Sequence, residues 1–161
     1  MTAEAVVAVD LAQVGLRADP RALPFESPEP NTTTPWRGRD VLWLGPDEWL
    51  VIGEPGTEGS IQRELGEALE GHHHSVVDVS ANRIVFDLSE DLDRLSSGCG
   101  LDLDPSHWRP GMCAQSLFGA AQVILHQIDE RTTRVFVRPS FADYFVDRLA
   151  VAPTEPRPRS S

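Results

Sequence analysis

Residues 113–149, CAQSLFGAAQVILHQIDERTTRVFVRPSFADYFVDRL, carry the clearest structural pattern in the chain. Three segments rich in β-branched and apolar residues, 113–118, 122–128 and 133–137, are separated by short turns. They predict a three-stranded antiparallel meander. Ser140-Phe141-Ala142-Asp143 then has the spacing of an acidic capping box, which predicts that a helix begins there.

Upstream segments extend this pattern. Residues 41–44 and 49–52 flank Gly45-Pro46-Asp47-Glu48, whose proline and aspartate suit a type I turn, so a hairpin is predicted. A helix is predicted from Ser60, its expected N-cap, to Gly71, where a glycine ends the apolar periodicity.

Residues 76–79 and 83–88 predict a further pair of strands, and a short helix is predicted to begin at Ser89 and end at Gly98. The total is about seven strands and three helices without strict strand–helix alternation. The predicted fold class is α+β, with an antiparallel sheet built of hairpins and a meander.

The two ends of the chain differ from this middle part. Residues 1–35 are interrupted by prolines and include the polar tract Asn31-Thr32-Thr33-Thr34, so they predict a proline-rich arm. Residues 151–161 predict a disordered tail for the same reason. The predicted α+β domain therefore covers residues 36–150.

Composition excludes several classes of function. The 161 residues suit one globular domain, and a net charge of −11 disfavours binding to a nucleic-acid backbone. All 14 basic residues are arginine, which excludes a Walker-type, Schiff-base or pyridoxal phosphate lysine in this sequence. Two cysteines are too few for a disulfide framework. No apolar run predicts a membrane helix and the first residues do not resemble a secretory signal, so a cytoplasmic protein is expected.

His72-His73-His74 suggests a metal site at first sight, since imidazoles bind zinc. On an extended chain only His72 and His74 share a face, and the next carboxylate on it, Asp78, is about 13 Å from His74 at about 3.3 Å per residue. A solvated loop is therefore favoured over a metal site. His107 and His126 are isolated and are interpreted as structural.

Other motifs are incomplete. The loop at residues 53–60 matches no phosphate-binding consensus, and Gly98-Cys99-Gly100 follows a helix and lacks the third glycine of a dinucleotide fingerprint. Asp102-Leu103-Asp104 begins like a calcium loop but lacks its later ligands. Cys113, in an alternating strand, is expected to be a small buried residue rather than a nucleophile. No catalytic, cofactor-binding or metal-binding residue is assigned.

The tryptophans divide into two groups. Trp43 and Trp49 lie in the predicted hairpin and are expected in the core, whereas Trp36 and Trp108 lie in proline-rich, polar stretches. There an aromatic side chain either clamps the loop or anchors a partner, and the sequence leaves both alternatives open.

Five segments together resemble the gamma subunit of heterotetrameric sarcosine oxidases. In the order of that family they are GPDEWLVI (45–52), VVDVSANRIVFDLS (76–89), SSGCGLDLDP (96–105), RPGMCAQSLFGAAQVIL (109–125) and VRPSFADYFVDRL (137–149). The resemblance implies a fold related to the folate-binding aminomethyltransferases.

The resemblance also implies a function. It indicates a subunit without a cofactor of its own, in a complex whose alpha and beta subunits carry FAD, FMN, NAD and tetrahydrofolate and whose delta subunit binds zinc. Such a complex oxidatively demethylates sarcosine to glycine, with hydrogen peroxide and methylene-tetrahydrofolate or formaldehyde as products.

The function expected from the sequence is therefore a small, non-catalytic subunit that promotes assembly of a sarcosine oxidase. An alternative is a stand-alone folate-binding, aminomethyltransferase-like module. That alternative needs a basic contact for the glutamate tail of folate, which Arg83, Arg134 or Arg138 could supply, although each is equally explained as a residue at the edge of a strand.

Overall fold

The computed structural model describes residues 6–89 and 92–152. Within them the chain forms ten strands and three α-helices, which confirms the α+β class. The strands are β1 (Val6–Val9), β2 (Ala12–Ala18), β3 (Thr33–Trp36), β4 (Arg39–Gly45), β5 (Glu48–Gly53), β6 (His74–Asp78), β7 (Ile84–Ser89), β8 (Cys113–Phe118), β9 (Ala121–Gln127) and β10 (Thr132–Val137). The helices are α1 (Glu58–Ala68), α2 (Leu92–Gly98) and α3 (Ala142–Val151).

The chain divides into two compact units instead of the single domain expected for residues 36–150. The first comprises the described parts of residues 1–9, 84–110 and 115–161, and the second comprises residues 10–83 and 111–114. Each unit is built on its own five-stranded antiparallel sheet.

The sheet of the first unit has the strand order β1-β7-β10-β9-β8. It contains the predicted meander, because alternating apolar side chains and short turns favour local antiparallel pairing. Aromatic rings join α3 to the sheet: the ring centroid of Phe145 lies 5.7 Å from that of Phe86 and 5.0 Å from that of Phe118. Phe118 and Phe145 are fully buried.

The start of α3 differs from the predicted capping box. A short 3₁₀ turn, Pro139–Phe141, precedes the helix, and Phe141 occupies the N-cap position without a side-chain hydrogen bond. The proline explains the difference, since its fixed φ suits the beginning of a 3₁₀ turn one residue before Ser140.

The sheet of the second unit has the order β3-β4-β5-β2-β6 and includes the predicted hairpin as β4 and β5. One face is covered by α1, whose side chains Ile61 and Leu65 pack with Val14 and Leu16 of β2. The predicted burial of Trp49 is also found.

The structure contradicts the predicted arm over much of its length. Strand β2 lies between β5 and β6, and its residues Val14 and Leu16 are fully buried. The residues of β2 alternate as a strand does, but the prolines that follow at residues 20–35 dominated the prediction for the whole segment. The prolines lie mainly in the connection between β2 and β3, and residues 153–161 of the predicted tail lie outside the described residues.

The two strands predicted at residues 76–79 and 83–88 are present as β6 and β7, but they do not pair with each other. Strand β6 pairs with β2, whereas β7 pairs with β1 and β10 in the other sheet. A short connection usually signals a hairpin, but here both strands find their partners in distant segments of the sequence.

Candidate functional site

The histidine run forms a turn that leads into β6. Its best-defined contact is local: Nδ1 of His74 lies 2.7 Å from the carbonyl oxygen of His72. His72 and His73 are exposed. Within residues 6–89 and 92–152 there is no group of three or more His, Cys, Asp or Glu side chains arranged to hold a metal ion.

Asp102 and Asp104 organise their own loop. Asp102 accepts a hydrogen bond from the backbone N–H of Asp104 at 3.0 Å, and Asp104 accepts two from Ser106, at 2.9 Å from the backbone and 2.6 Å from the hydroxyl. These are turn-stabilising contacts of the kind that aspartates make in loops. They explain the acidic pattern that resembles the beginning of a calcium loop.

The glycine-containing loop between β5 and α1 is closed by its own side chains. The Thr57 hydroxyl donates to the carbonyl of Glu54 at 2.6 Å, and the backbone N–H of Gly56 donates to Glu58 at 3.3 Å. A carboxylate therefore occupies a backbone donor that a phosphate would need. The interpretation of this loop as a connection agrees with these contacts.

Cys113 is fully buried, as expected for a small core residue. Its Sγ donates weakly to the carbonyl oxygens of Thr32 at 3.4 Å and Trp43 at 3.5 Å. Burial raises the pKa of the thiol from 9.0 to about 11. A thiol that resists ionisation in this way is a poor nucleophile at neutral pH.

Trp36 is a clamp within the second unit. Its ring is 6% exposed, packs against Phe25 at 5.8 Å between centroids, and lies under the guanidinium carbons of Arg37 at 5.2 Å and Arg39 at 5.0 Å. Both arginines also form ion pairs with Glu64 of α1. Hydrogen bonding to Arg39 and Arg37 holds the pKa of Glu64 below its ordinary value.

Trp108 is a clamp within the first unit. Its indole N–H donates to Oε1 of Gln127 at 2.7 Å, and the hydroxyl of Thr133 donates to the same oxygen at 2.5 Å. The Gln127 amide in turn donates to the carbonyl of Asp129 at 2.7 Å. The intramolecular contacts of Trp36 and Trp108 therefore favour a clamp over an anchor for a partner.

The three candidate arginines for a folate tail have different surroundings. Arg134 is bound in bidentate fashion by Asp87, at 2.8 Å and 3.0 Å, so that a carboxylate already occupies its donors. The backbone carbonyl of Arg83 accepts a hydrogen bond from Gln13 at 3.1 Å, and Arg138 is exposed. Of the three, Arg134 is therefore already neutralised within its own unit.

Two shallow depressions in the first unit were not predicted. Their volumes are about 310 and 450 Å³, and both border Glu130 and Arg131. Asp129, in the wall of the larger one, accepts hydrogen bonds from the backbone N–H groups of Arg131 and Thr132, which lowers the pKa of its carboxyl. These contacts close the β9–β10 turn, so the carboxylate has a structural role.

Exposed apolar side chains on strands are the second feature that the sequence did not reveal. Val77 of β6 is 51% exposed and Leu117 of β8 is 53% exposed. Periodicity alone could not have identified them, because the alternation of a strand does not show which strand lies at the edge of its sheet.

The chain is similar to known proteins over most of its length. Residues 10–155 match the family model described as "Sarcosine oxidase, gamma subunit family". The "Sarcosine oxidase subunit gamma" of Corynebacterium sp. (strain P-1) is 34% identical over 120 residues, and that of Arthrobacter sp is 35% identical over 120 residues. Each alignment covers 73% of this chain, which spans 58% of the length of these curated relatives.

Solved structures agree with the sequence comparison. A chain of the heterotetrameric sarcosine oxidase from Corynebacterium sp. U-96 has a TM-score of 0.80 and 28% identity, covering 89% of this chain and 80% of that chain. The glycine cleavage system aminomethyltransferase T from Bartonella henselae has a TM-score of 0.67 and 9% identity, covering 91% of this chain and 45% of that chain. The second similarity concerns the fold alone and confirms the aminomethyltransferase-like architecture.

The longest of the described helices, α1, has 11 residues. Across the described part of the chain, none is both long and apolar enough to cross a membrane.

Proposed function

Because this chain belongs to the sarcosine oxidase gamma subunit family, we propose that it is a non-catalytic subunit of a cytoplasmic heterotetrameric sarcosine oxidase. Its partners in this proposal are the alpha, beta and delta subunits. Its role is to stabilise the assembled form, since a protein that binds only the folded partner shifts the equilibrium toward it.

The complex oxidatively demethylates sarcosine in this proposal. Sarcosine loses two electrons and its N-methyl carbon, oxygen is reduced to hydrogen peroxide, and glycine is released. The one-carbon unit leaves as methylene-tetrahydrofolate, or as formaldehyde when water takes the place of the folate. FAD, FMN, NAD, tetrahydrofolate and zinc belong to the partner subunits, and the isolated chain has no oxidase activity.

The observation that carries the proposal is the agreement of sequence and fold over nearly the whole chain with a subunit of a heterotetrameric enzyme. The local chemistry supports a non-catalytic role. The Cys113 thiol is buried between backbone carbonyls, and the Arg134 guanidinium is held by Asp87. Both groups therefore serve the fold of the units to which they belong.

Co-expression with the proteins of the neighbouring operon genes tests the proposal. The tagged chain is purified, its visible spectrum is recorded, and sarcosine-dependent hydrogen peroxide formation is measured. We expect a stoichiometric complex with flavin absorbance and activity. The matched control expresses the same partners without this chain and is expected to give less assembled enzyme.

A colourless monomer under the same conditions would contradict the proposal. If calorimetry then detected binding of tetrahydrofolate to that monomer, the stand-alone folate-binding alternative would replace it.

A further inference from the structure

Strand β6 lies at one edge of the sheet of the second unit and pairs with β2. One contact shows which residues of this segment direct their backbone groups toward β2: the backbone N–H of Val79 donates to the carbonyl of Gln13 at 2.9 Å. Hydrogen-bonded pairs alternate along an antiparallel ladder, so Val77 and Ser75 also direct their backbone groups toward β2. His74, Val76 and Asp78 then direct theirs away from it.

Strand β6 is short and ends in a charged residue, Asp78, but it lacks three other features by which proteins protect an edge strand: proline, a lysine or arginine, and a bulge. The opposite edge, β3, contains Pro35, which cannot donate a backbone hydrogen bond. Strand β6 contains no proline, lysine or arginine, and its register with β2 is regular over five residue pairs. Within the described residues no other strand pairs with it. An edge without proline, lysine or a bulge leaves its outward backbone groups available for pairing with another chain.

The side chains of β6 suit an added strand. Val77, 51% exposed, projects from the face opposite α1 and lies beside Gly15 of β2. Since glycine has no side chain, Val77 has no large neighbour there on that strand. An apolar residue of an added strand would cover its free surface.

We propose that β6 binds an extended, basic segment of another subunit as a sixth strand, through the outward backbone groups of His74, Val76 and Asp78. This inference rests on the proposed function, which supplies the other subunits. It belongs to the recognition mode in which backbone hydrogen bonds provide affinity and alternate side chains provide specificity.

Charge indicates why the segment is basic. Asp78 is exposed at the end of β6, and its hydrogen bond from Ser80 lowers the pKa of its carboxyl, which favours the ionised form. Helix α1 packs against β6 and carries exposed Glu67 in its last turn, where the helix dipole also favours a cation, and exposed Glu70 follows in the next turn of the chain. The nearest arginine in the register, Arg17, is paired with Glu48 at 3.1 Å.

Charge also argues against a second copy of this chain as the occupant. Two copies would each carry a net charge of −11, so their association would work against mutual repulsion. A basic segment would instead be attracted to the same edge.

Hydrogen exchange resolved to single amides tests the pairing in the co-expressed complex. In the isolated chain we expect the amides of Val76 and Asp78 to exchange at least ten times faster than that of Val77. In the complex they should slow to the rate of Val77, while the Val77 amide, bonded to β2 in both states, changes little. This alternation distinguishes strand addition from general burial of the surface.

A matched pair of substitutions tests the surface. Val77→Lys and Leu117→Lys change side chains of nearly equal exposure, 51% and 53%, on strands of different sheets. We expect Val77→Lys to weaken binding to the partner subunits at least tenfold, because it removes the apolar contact and repels a basic segment. Leu117→Lys should change binding less than twofold. Thermal melting of each isolated variant checks that it is folded.

The outcomes separate this inference from the proposed function. A complex that forms with fast-exchanging Val76 and Asp78 overturns the inference and leaves the proposed function standing. The absence of any complex overturns both. Protection that is already present in the isolated chain overturns the inference too: it identifies a second copy if it depends on concentration, and a segment of the same chain if it does not.

Discussion

The ring of Phe118 lies against the Cα of Gly98 at the end of α2, so closely that a β-carbon at residue 98 would be 2.5 Å from Cε2 of the ring. Phe118 cannot easily move away, because it is fully buried and its ring packs edge-to-face on Phe145 at 5.0 Å. The approach of helix and strand in the first unit therefore depends on a glycine at this position.

We predict that Gly98→Ala lowers the free energy of unfolding by about 1–3 kcal/mol, the usual cost of overpacking a core. Gly66→Ala is the matched control, since Gly66 lies inside α1 with nothing within 4 Å of an added β-carbon. It should raise the free energy of unfolding by about 0.5–1 kcal/mol through helix propensity. Urea unfolding of both variants measures the difference, and changes of the same sign would contradict this packing.

Two buried tryptophans differ in the state of their indole N–H groups. That of Trp108 donates to Gln127 at 2.7 Å, whereas that of Trp49 is buried without a hydrogen-bond partner among the described residues. Both Trp→Phe substitutions lose packing, but only Trp108→Phe also loses a hydrogen bond. We expect its unfolding free energy to fall further than that of Trp49→Phe, by about 1–3 kcal/mol.

Urea unfolding checks this difference. Affinity for the co-expressed subunits provides an independent readout, because the clamp role of Trp108 predicts no change in it when the variant is folded. Equal stability losses, or a binding defect confined to Trp108→Phe, would contradict the clamp role of the Trp108 indole.

The parts of the fold that could be predicted from the sequence are those specified locally. Strands β4 and β5 and the meander of β8, β9 and β10 combine apolar periodicity with short turns, and both features lie within a few residues. Strand β2 also alternates, but no short turn joins it to a strand with which it pairs, because its partners β5 and β6 lie much further along the chain.

The edge position of β6 could not be predicted for a related reason. The sequence HSVVD at residues 74–78 predicts a strand but not its neighbours. The strand order of the described residues is needed to show that β6 pairs on one side and that the exposed Val77 lies at the edge of the sheet. The resemblance to a family indicated the class of function, whereas the candidate contact surface required the assembled sheet.

Glu64 provides a pH-dependent prediction in the second unit. Its ion pairs with Arg39 and Arg37 lower the pKa of its carboxyl from 4.5. A lowered pKa in the folded state means that the stabilisation is present above pH 4.5 and is lost as the pH falls through the folded value. We expect Glu64→Gln to be less stable than the original chain at pH 6–7, and the difference to shrink below about pH 4.5.

Thermal melting between pH 3 and 7 measures this difference. Glu67→Gln is the control, because Glu67 is an exposed carboxylate on the same helix. It should change the melting temperature less than Glu64→Gln does at pH 6–7. A Glu64→Gln difference that is constant across the range would show that the carboxylate charge is not what stabilises the clamp around Trp36.

Cys113 gives the opposite pH dependence. Burial raises the pKa of its thiol from 9.0 to about 11, so the folded chain keeps the thiol neutral in a range where the unfolded chain ionises. The proton is therefore bound more tightly in the folded state, and stability falls as the pH rises above 9. For one such group the loss at pH 10 relative to pH 7 is roughly 1 kcal/mol.

Cys113→Ala removes the titrating group and, after correction for its constant packing cost, should flatten the unfolding free energy between pH 7 and 10. Cys99→Ala is the control, since Cys99 is also a buried free cysteine, with its Sγ 3.3 Å from the Ser116 hydroxyl. If the slope of stability against pH were the same in Cys113→Ala as in the original chain, the thiol would have to ionise equally in the folded and unfolded states, and its burial between the carbonyls of Thr32 and Trp43 could not be correct.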